Sequence, residues 1–316
     1  MTTTAYNKID LAHCSPTGHK PPFEELQALD AAGVPWGYKI VDSDIDERIL
    51  QLARATNTPN YIVFRRSVGE HGTHIYDVPR YDLGAKEASD LHFDLHFNEL
   101  PPLIKQYNDV VIIESINEPN KDADSVVEWL AEFSVYQFLA FDGAGFKYAC
   151  FGWAGGTPEP RHWEGPYMLA LLQDCANHKG ELFIAVHEYS LSPDIWNGWH
   201  NPNSDEFWYI GRFIWIHKAC DKFDIPYPDI LITEWGYGKD SNTAVLPGHP
   251  QRMIDYDSVG EFYAQYKNVK QANVWGYNGA DEWQELGNKL YHEDRVKLLH
   301  LRLTTRYEVE GEPPMP

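Results

Sequence analysis

Ile112-Ile113-Glu114-Ser115-Ile116-Asn117-Glu118-Pro119-Asn120 decides the reading of this chain. An apolar run of strand character ends in a carboxylate, with an amide before it and a proline that terminates the sheet. A second stretch, Ile230-Leu231-Ile232-Thr233-Glu234-Trp235-Gly236-Tyr237, repeats the design. Again a glutamate closes an apolar strand, here beside an indole and a glycine that lets a ligand approach the backbone. The two glutamates stand 234 − 118 = 116 residues apart, so only a fold that gathers strand ends can bring them together.

Outward from these two stretches the pattern recurs. Short β-branched or aromatic runs at 8–13, 36–42, 60–65, 109–116, 146–152, 181–187, 229–235 and 272–278 predict strands. Amphipathic segments at 22–32, 45–55, 89–107, 122–140, 166–178, 205–223, 256–270 and 289–302 predict helices between and after them. The 122–140 segment has Asp122 and Asp124 at its start and Val126, Val127, Leu130 and Phe133 at helical spacing. Eight strand and helix units point to a closed α/β (β/α)8 TIM barrel, with a doubly wound open sheet as the rival. No linker interrupts the chain. A single catalytic-sized barrel is expected over 1–307, with residues 308–316 (EVEGEPPMP) as a disordered C-terminal tail.

Composition narrows the partners. With 43% hydrophobic and 23% charged residues over 316 positions, the chain has ample material for a core. Its 47 acidic and 26 basic residues give a net charge of −21, which repels phosphate backbones and anionic lipid, so neither nucleic acid nor a membrane is an expected partner. Aromatic residues reach 14%, including 11 Trp and 19 Tyr, an excess that suggests a ring-lined cleft. The four cysteines lie far apart without a C-x-x-C spacing and read as free buried thiols. Residues 1–10 lack a basic segment followed by an apolar one, so the chain as written reads as cytoplasmic, or secreted if a leader has been removed. Nothing in the pattern speaks to oligomeric state.

At this point the motifs resemble those of the clan A glycoside hydrolases. In that clan a (β/α)8 barrel carries an acid/base Glu, preceded by Asn, at the end of strand four and a nucleophilic Glu at the end of strand seven. Carried onto this chain, Asn117 and Glu118 match the first motif and Glu234 the second; within the clan, Glu114 to Pro119 looks most like families 5 and 39. The resemblance implies a retaining hydrolase of β-glycosidic bonds acting on an oligo- or polysaccharide, with Asn117 on the sugar 2-hydroxyl and no cofactor or metal. His187 and Tyr189 form a His-x-Tyr at the end of strand six, as in many family 5 enzymes, which implies Tyr189 on the nucleophile and His187 on the sugar or the carboxylates.

Alternation puts His187 and Tyr189 on one face and turns Glu188 away. Trp275 and Trp283 are the two candidates for the sugar platform that clan members place near strand eight. Trp196, Trp199 and His200, in the loop after strand six, are expected at outer sugar subsites, with Trp235 beside the nucleophile and, more weakly, Trp153. Arg65 and Arg66 close strand three, and Arg66 is expected on the substrate side. The clan's arginine commonly sits on strand two, where this chain has Lys39; Lys39, Arg65 or Arg66 could equally neutralise Glu114 inside the barrel.

Each residue also has a plain structural reading. Asn-Glu-Pro alone is a polar strand exit, His187 alone a satisfied core histidine, and any of the tryptophans a core residue. Rival chemistries leave weaker traces. His92 and His96 have the i, i+4 spacing of a zinc-binding helix, but the H-E-x-x-H glutamate is missing and the segment reads as an acidic, solvated helix. No G-x-S-x-G elbow and no P-loop occur. A metal-dependent amidohydrolase needs an early His-x-His strand, and 8–13 offers His13 alone. A barrel that binds glycans without cleaving them is the remaining alternative, since fold does not fix function.

Overall fold

The computed structural model describes residues 3–14, 21–42, 45–67, 76–120, 123–190, 209–237, 239–240, 243–244, 247–275 and 290–309. Within them eight parallel strands close into a barrel: β1 (Ile9–Cys14), β2 (Trp36–Val41), β3 (Asn60–Arg65), β4 (Val111–Glu114), β5 (Lys147–Trp153), β6 (Leu182–Ser190), β7 (Asp229–Tyr237) and β8 (Val269–Val274). Each strand pairs with its successor, and β8 returns to β1 through Ala272 opposite Ile9. The expected barrel is therefore the observed one.

The helices that follow the strands are α1 (Phe23–Ala31), α2 (Glu47–Ala55), α3 (Ala85–Glu99), α4 (Asp124–Gly143), α5 (Pro166–Asn177), α6 (Ile214–Phe223), α7 (His249–Ala264) and α8 (Arg295–Thr304). Several depart from the sequence reading for identifiable reasons. The helix expected over 89–107 stops at Glu99, because Pro101 and Pro102 cannot continue it, and resumes as the short helix Pro102–Gln106. Helix α7 starts at His249 rather than 256, since Gly248 caps it and Pro250 fits its first turn. Strand β8 begins at Val269, three residues earlier than expected.

A short antiparallel pair, Thr3–Tyr6 with Arg306–Val309, ties the two chain ends together. This corrects the start of the expected disordered tail: Glu308 and Val309 are paired strand residues, and Val309 is buried. Cys150, Cys175 and Cys220 are free and buried, as their spacing suggested. No helix among the described residues is long and apolar enough to cross a membrane.

Two apolar layers divide the residues of strands β3 to β7. Val63, Ile112, Ala149, Phe183, Ala185 and Leu231 pack together inside the barrel. Their neighbours Ile62, Phe64, Ile113, Tyr148, Ile184, Val186, Ile230 and Ile232 belong to the outer core beneath the helices. This alternation decides what faces the barrel mouth.

Candidate active site

Two positions along the same strands from the inner cluster come Arg65, Glu114 and His187, so period-two alternation aims all three into the mouth. Tyr189 follows His187 on the same face. Strand β7 needs one further device. From Leu231 inside, strict alternation would put Thr233 inside and Glu234 outside, against the helices. The pairing of β6 with β7 instead steps from Val186–Ile232 to His187–Glu234, leaving Thr233 as an extra residue. This bulge turns Glu234 inward. Thr233 stays inward too and donates from Oγ1 to Glu114 Oε1 at 3.4 Å.

The result is a buried ionic cluster around Glu234. Lys39 Nζ lies 3.0 Å from Glu234 Oε1 and 3.0 Å from Glu114 Oε2, bridging the two carboxylates. Arg65 Nη1 lies 2.7 Å from the same Glu234 Oε1 and also donates to Asn117 Oδ1. On the other oxygen, Tyr189 donates its hydroxyl to Glu234 Oε2 at 2.5 Å. His187 Nδ1 lies 3.1 Å from Glu118 Oε1 and 3.4 Å from Glu234 Oε2, and its Nε2 lies 3.4 Å from Glu114 Oε1. The imidazole thus stands among three carboxylates.

Burial alone would raise the carboxyl pKa values here. At Glu114 it is outweighed by Lys39, His187 and Arg65, which bring the pKa down to about 2. At Glu234 burial is outweighed in the same way by His187, Lys39, Arg65 and the Tyr189 hydroxyl, which hold it well below the ordinary carboxylate range. For His187, burial disfavours the cation, but Glu234, Glu114 and Glu118 together raise its pKa. Glu234 is therefore an anion whose charge is balanced on both oxygens.

Glu118 differs from the other two carboxylates. Its side chain is 44% exposed, whereas those of Glu114 and Glu234 are buried. Its backbone lies in the left-handed region at φ 45°, and its N–H donates to Gly152 O at 2.9 Å. Phe151 (φ 80°) and Gly152 (φ 59°) share that conformation on β5. Gly152 is needed for a second reason: a Cβ there would lie 2.5 Å from Glu114 Oε1 and 3.1 Å from His187 Nε2. Conformations of this kind cost free energy and cluster where function requires them.

Three expected site residues are placed elsewhere. Arg65, not Arg66, reaches the carboxylates, because alternation sends Arg66 the other way; its Nε is 3.9 Å from Asp42 Oδ1. Trp235 is fully buried behind β7, its ring centroid 5.6 Å from that of Tyr256 on α7, since the bulge that brings Glu234 in turns Trp235 out. Trp153 is likewise buried, tilted against Phe151. Trp275 does reach the site, with Lys39 Nζ and Arg65 Cζ each 5.6 Å from its ring centroid. Trp283, Trp196, Trp199 and His200 lie outside the described residues.

The sequence reading missed how the cluster is held together. It treated Lys39 and Arg65 as alternatives, whereas both bind Glu234; a lone lysine in an apolar strand was the available signal. It also missed Asp77, whose backbone O accepts from Asn117 N–H at 3.2 Å, and nothing periodic marks that residue. Glu188 points away as expected and accepts from Gly211 N, Phe213 N and the Tyr263 hydroxyl; burial lifts its pKa to about 7 despite these donors.

Among the described residues, Glu118, His187 and Glu234 are the group able to converge on a cation, with ligand atoms within 4.8 Å of one another. Lys39 and Arg65 already sit on Glu234 Oε1, and their charges oppose a divalent ion there. His92 and His96 are buried rather than solvated, and each ring places Nε2 on a backbone oxygen, so the helix is not the exposed zinc face its spacing allowed.

No family model matches the chain, and no curated protein matches it. Solved structures do, and they carry the fold of the clan A glycoside hydrolases that the motifs resemble. A family 5 xyloglucanase from Paenibacillus pabuli, solved with a ligand, aligns over 95% of this chain and 99% of its own at 12% identity and TM-score 0.53. A GH5-4 broad-specificity endoglucanase from an uncultured bacterium aligns over 94% and 93% at 10% identity and TM-score 0.52. A trimodular GH5_4 endoglucanase aligns over 94% of this chain and 58% of its own at 15% identity and TM-score 0.53. These likenesses place the chain in the (β/α)8 fold of such hydrolases.

Proposed function

We propose that the protein is a retaining β-glycoside hydrolase, with Glu234 as nucleophile and Glu118 as acid/base. The carrying observation is the convergence of two carboxylates, 116 residues apart in sequence, on one histidine, with an oxygen of Glu118 within 4.8 Å of one of Glu234. Such closeness favours the spacing of about 5 to 5.5 Å used for direct attack over the roughly 6.5 to 9.5 Å that leaves room for a water. The xyloglucanase and endoglucanase among the fold neighbours support an oligo- or polysaccharide as the substrate class.

Each protein group then has a task. Lys39 and Arg65 fix Glu234 Oε1, and Tyr189 orients Oε2 toward the anomeric carbon. Glu118 donates a proton to the departing oxygen while Glu234 attacks, forming a glycosyl ester; Glu118 then takes a proton from the water that releases the sugar. Charge balance supports that cycling. Lys39 and Arg65 offset Glu114 and Glu234, so one further proton shared between His187 Nδ1 and Glu118 Oε1 leaves the cluster neutral on either atom. Arg65 occupies Asn117 Oδ1, which directs the Asn117 amide nitrogen to a sugar hydroxyl. No metal has a step in this scheme.

The test is turnover of chromogenic β-glycosides and β-linked polysaccharides, with the anomer of the product followed by NMR. Glu234→Gly should lose activity and regain it with azide, yielding a glycosyl azide of inverted configuration. A variant that hydrolyses at the native rate removes the nucleophile assignment. Tight oligosaccharide binding with no new reducing ends would instead leave a glycan-binding barrel.

A further inference from the structure

We propose that His92 and His96, the histidine pair on α3, are positioning residues for the Asn117–Glu118 tip. They act through backbone carbonyl groups on the two chain segments that hold it. The inference rests on the catalytic reading of Glu118 for its functional consequence, but not for its structural content.

His92 Nε2 lies 3.0 Å from Ser115 O, and His96 Nε2 lies 3.2 Å from Tyr76 O. A carbonyl oxygen only accepts, so both rings must donate from Nε2. Ser115 lies just past the end of β4 at Glu114, outside the sheet ladder, and a buried carbonyl there needs a donor from elsewhere. His92 supplies it two residues before Asn117. Tyr76 precedes Asp77, whose own carbonyl accepts from Asn117 N–H at 3.2 Å. His96 therefore holds the opposite wall of the same clamp.

The fit of the pair is close. His92 and His96 ring centroids lie 4.6 Å apart, His96 meets the Tyr76 ring edge-on at 4.9 Å, and Phe133 on α4 closes the other side of His92 at 5.5 Å. His96 is fully buried and His92 is 5% exposed. Both are held uncharged by burial, with no carboxylate among the forces acting on them; His92 and Arg66 add to that effect at His96. The helical spacing that resembled a metal site puts two rings, one turn apart on α3, on two separate carbonyls.

What depends on this clamp is the strained tip. Glu118 adopts φ 45° with its side chain 44% exposed, and beyond the His187 contact at 3.1 Å its place depends on the backbone. Its position follows from Asn117, tied to Asp77 O and Arg65, and from its own N–H on Gly152 O. A displacement of about 1 Å at a reacting group can lower a rate about a hundredfold.

The experiment compares His92→Leu and His96→Leu, which remove the donor, with His92→Gln and His96→Gln, whose amide nitrogen can replace Nε2. Where leucine prevents folding, His92→Asn and His96→Asn keep a polar group too short to reach the carbonyls. Hydrogen exchange at the Asn117 and Glu118 amides gives the first readout. It should accelerate about tenfold or more in the Leu or Asn variants, locally, and return in the Gln variants. The second readout is kcat per active site, counted by covalent labelling of Glu234 with a 2-deoxy-2-fluoro glycoside. It should fall about 10- to 100-fold with KM within about threefold of the parent, and recover with Gln. Unchanged exchange at 117 and 118, or acceleration spread evenly over the barrel, overturns the positioning role. Local exchange that changes while kcat per labelled site does not overturns its functional consequence. If the parent cleaves no glycoside, the catalytic reading falls and the exchange data still decide the clamp.

Discussion

Replacing Lys39 with Met tests the charge balance on which the site stands. Lys39 Nζ is 3.0 Å from both Glu114 and Glu234 in a buried setting; beyond it Glu114 has His187 Nε2 at 3.4 Å and the permanent cation Arg65 at 3.9 Å. Removing one partner of a buried ion pair costs about 3 to 5 kcal/mol, because the other charge stays without compensation. Linkage gives a similar size. The net fall of the Glu114 pKa from 4.5 to about 2 corresponds to roughly 3 kcal/mol of stability, present above pH 4.5 and lost as pH falls toward 2. For 316 residues with an unfolding entropy of about 2.1 cal/mol/K each, that range lowers the midpoint by about 5 to 8 °C. Differential scanning calorimetry at pH 7 is the assay, run on Lys39→Met, Glu114→Gln and the double variant. The double variant should recover more than half of the loss, since it no longer buries an unpaired carboxylate. A drop of less than about 2 °C for Lys39→Met, or a double variant no more stable than the single, would refute the argument.

Three other outcomes are expected. Gly152→Ala should lose about 1 to 3 kcal/mol in urea denaturation from its φ of 59°, and more from the contact with Glu114. Gly180→Ala (φ 82°, no atom within 4 Å) isolates strain from contact, so equal costs for the two glycines would deny the contact. Tyr189→Phe removes a hydrogen bond to a charged oxygen, worth about 1.5 to 3 kcal/mol, and should lower kcat/KM about 10- to 150-fold. Retention of kcat/KM within about twofold would mean that Tyr189 does not orient the nucleophile. The stability should fall with acid through His92, whose pKa burial lowers from 6.5 to about 4. The unfolded chain takes up that proton first, so roughly 2 to 3 kcal/mol is lost between pH 8 and pH 4.5. His92→Gln should flatten that part of the profile, as read from denaturant midpoints at the two pH values.

The eight strands were legible because a buried parallel strand must be apolar along its length, and such runs between amphipathic segments have few alternatives. Strand β3 matched its expected range, and the site strands β4, β6 and β7 appeared with their glutamates and His187 at the C-terminal ends. Ends were less legible where local chemistry intervened, as at Pro101–Pro102 and at Gly248–Pro250. Within the site, alternation from a known inner residue is enough to separate Arg65 from Arg66, but it needs the inner residue to be known. Asp77 has no sequence signal, since it offers a backbone oxygen and any residue has one.

The sequence by itself determined eight strand and helix units, with two glutamates, an asparagine, a histidine and a tyrosine at or just past strand ends, and left a doubly wound sheet as the rival to the barrel. Tertiary structure alone decided which of two neighbours faces inward. Read by strict alternation from Leu231, β7 would expose Trp235 to the mouth and bury Glu234 against the helices. One unpaired residue, Thr233, reverses that assignment. A bulge of this kind arises from the fit of β7 between β6 and β8, so it is a property of pairing that no single strand carries in its own sequence.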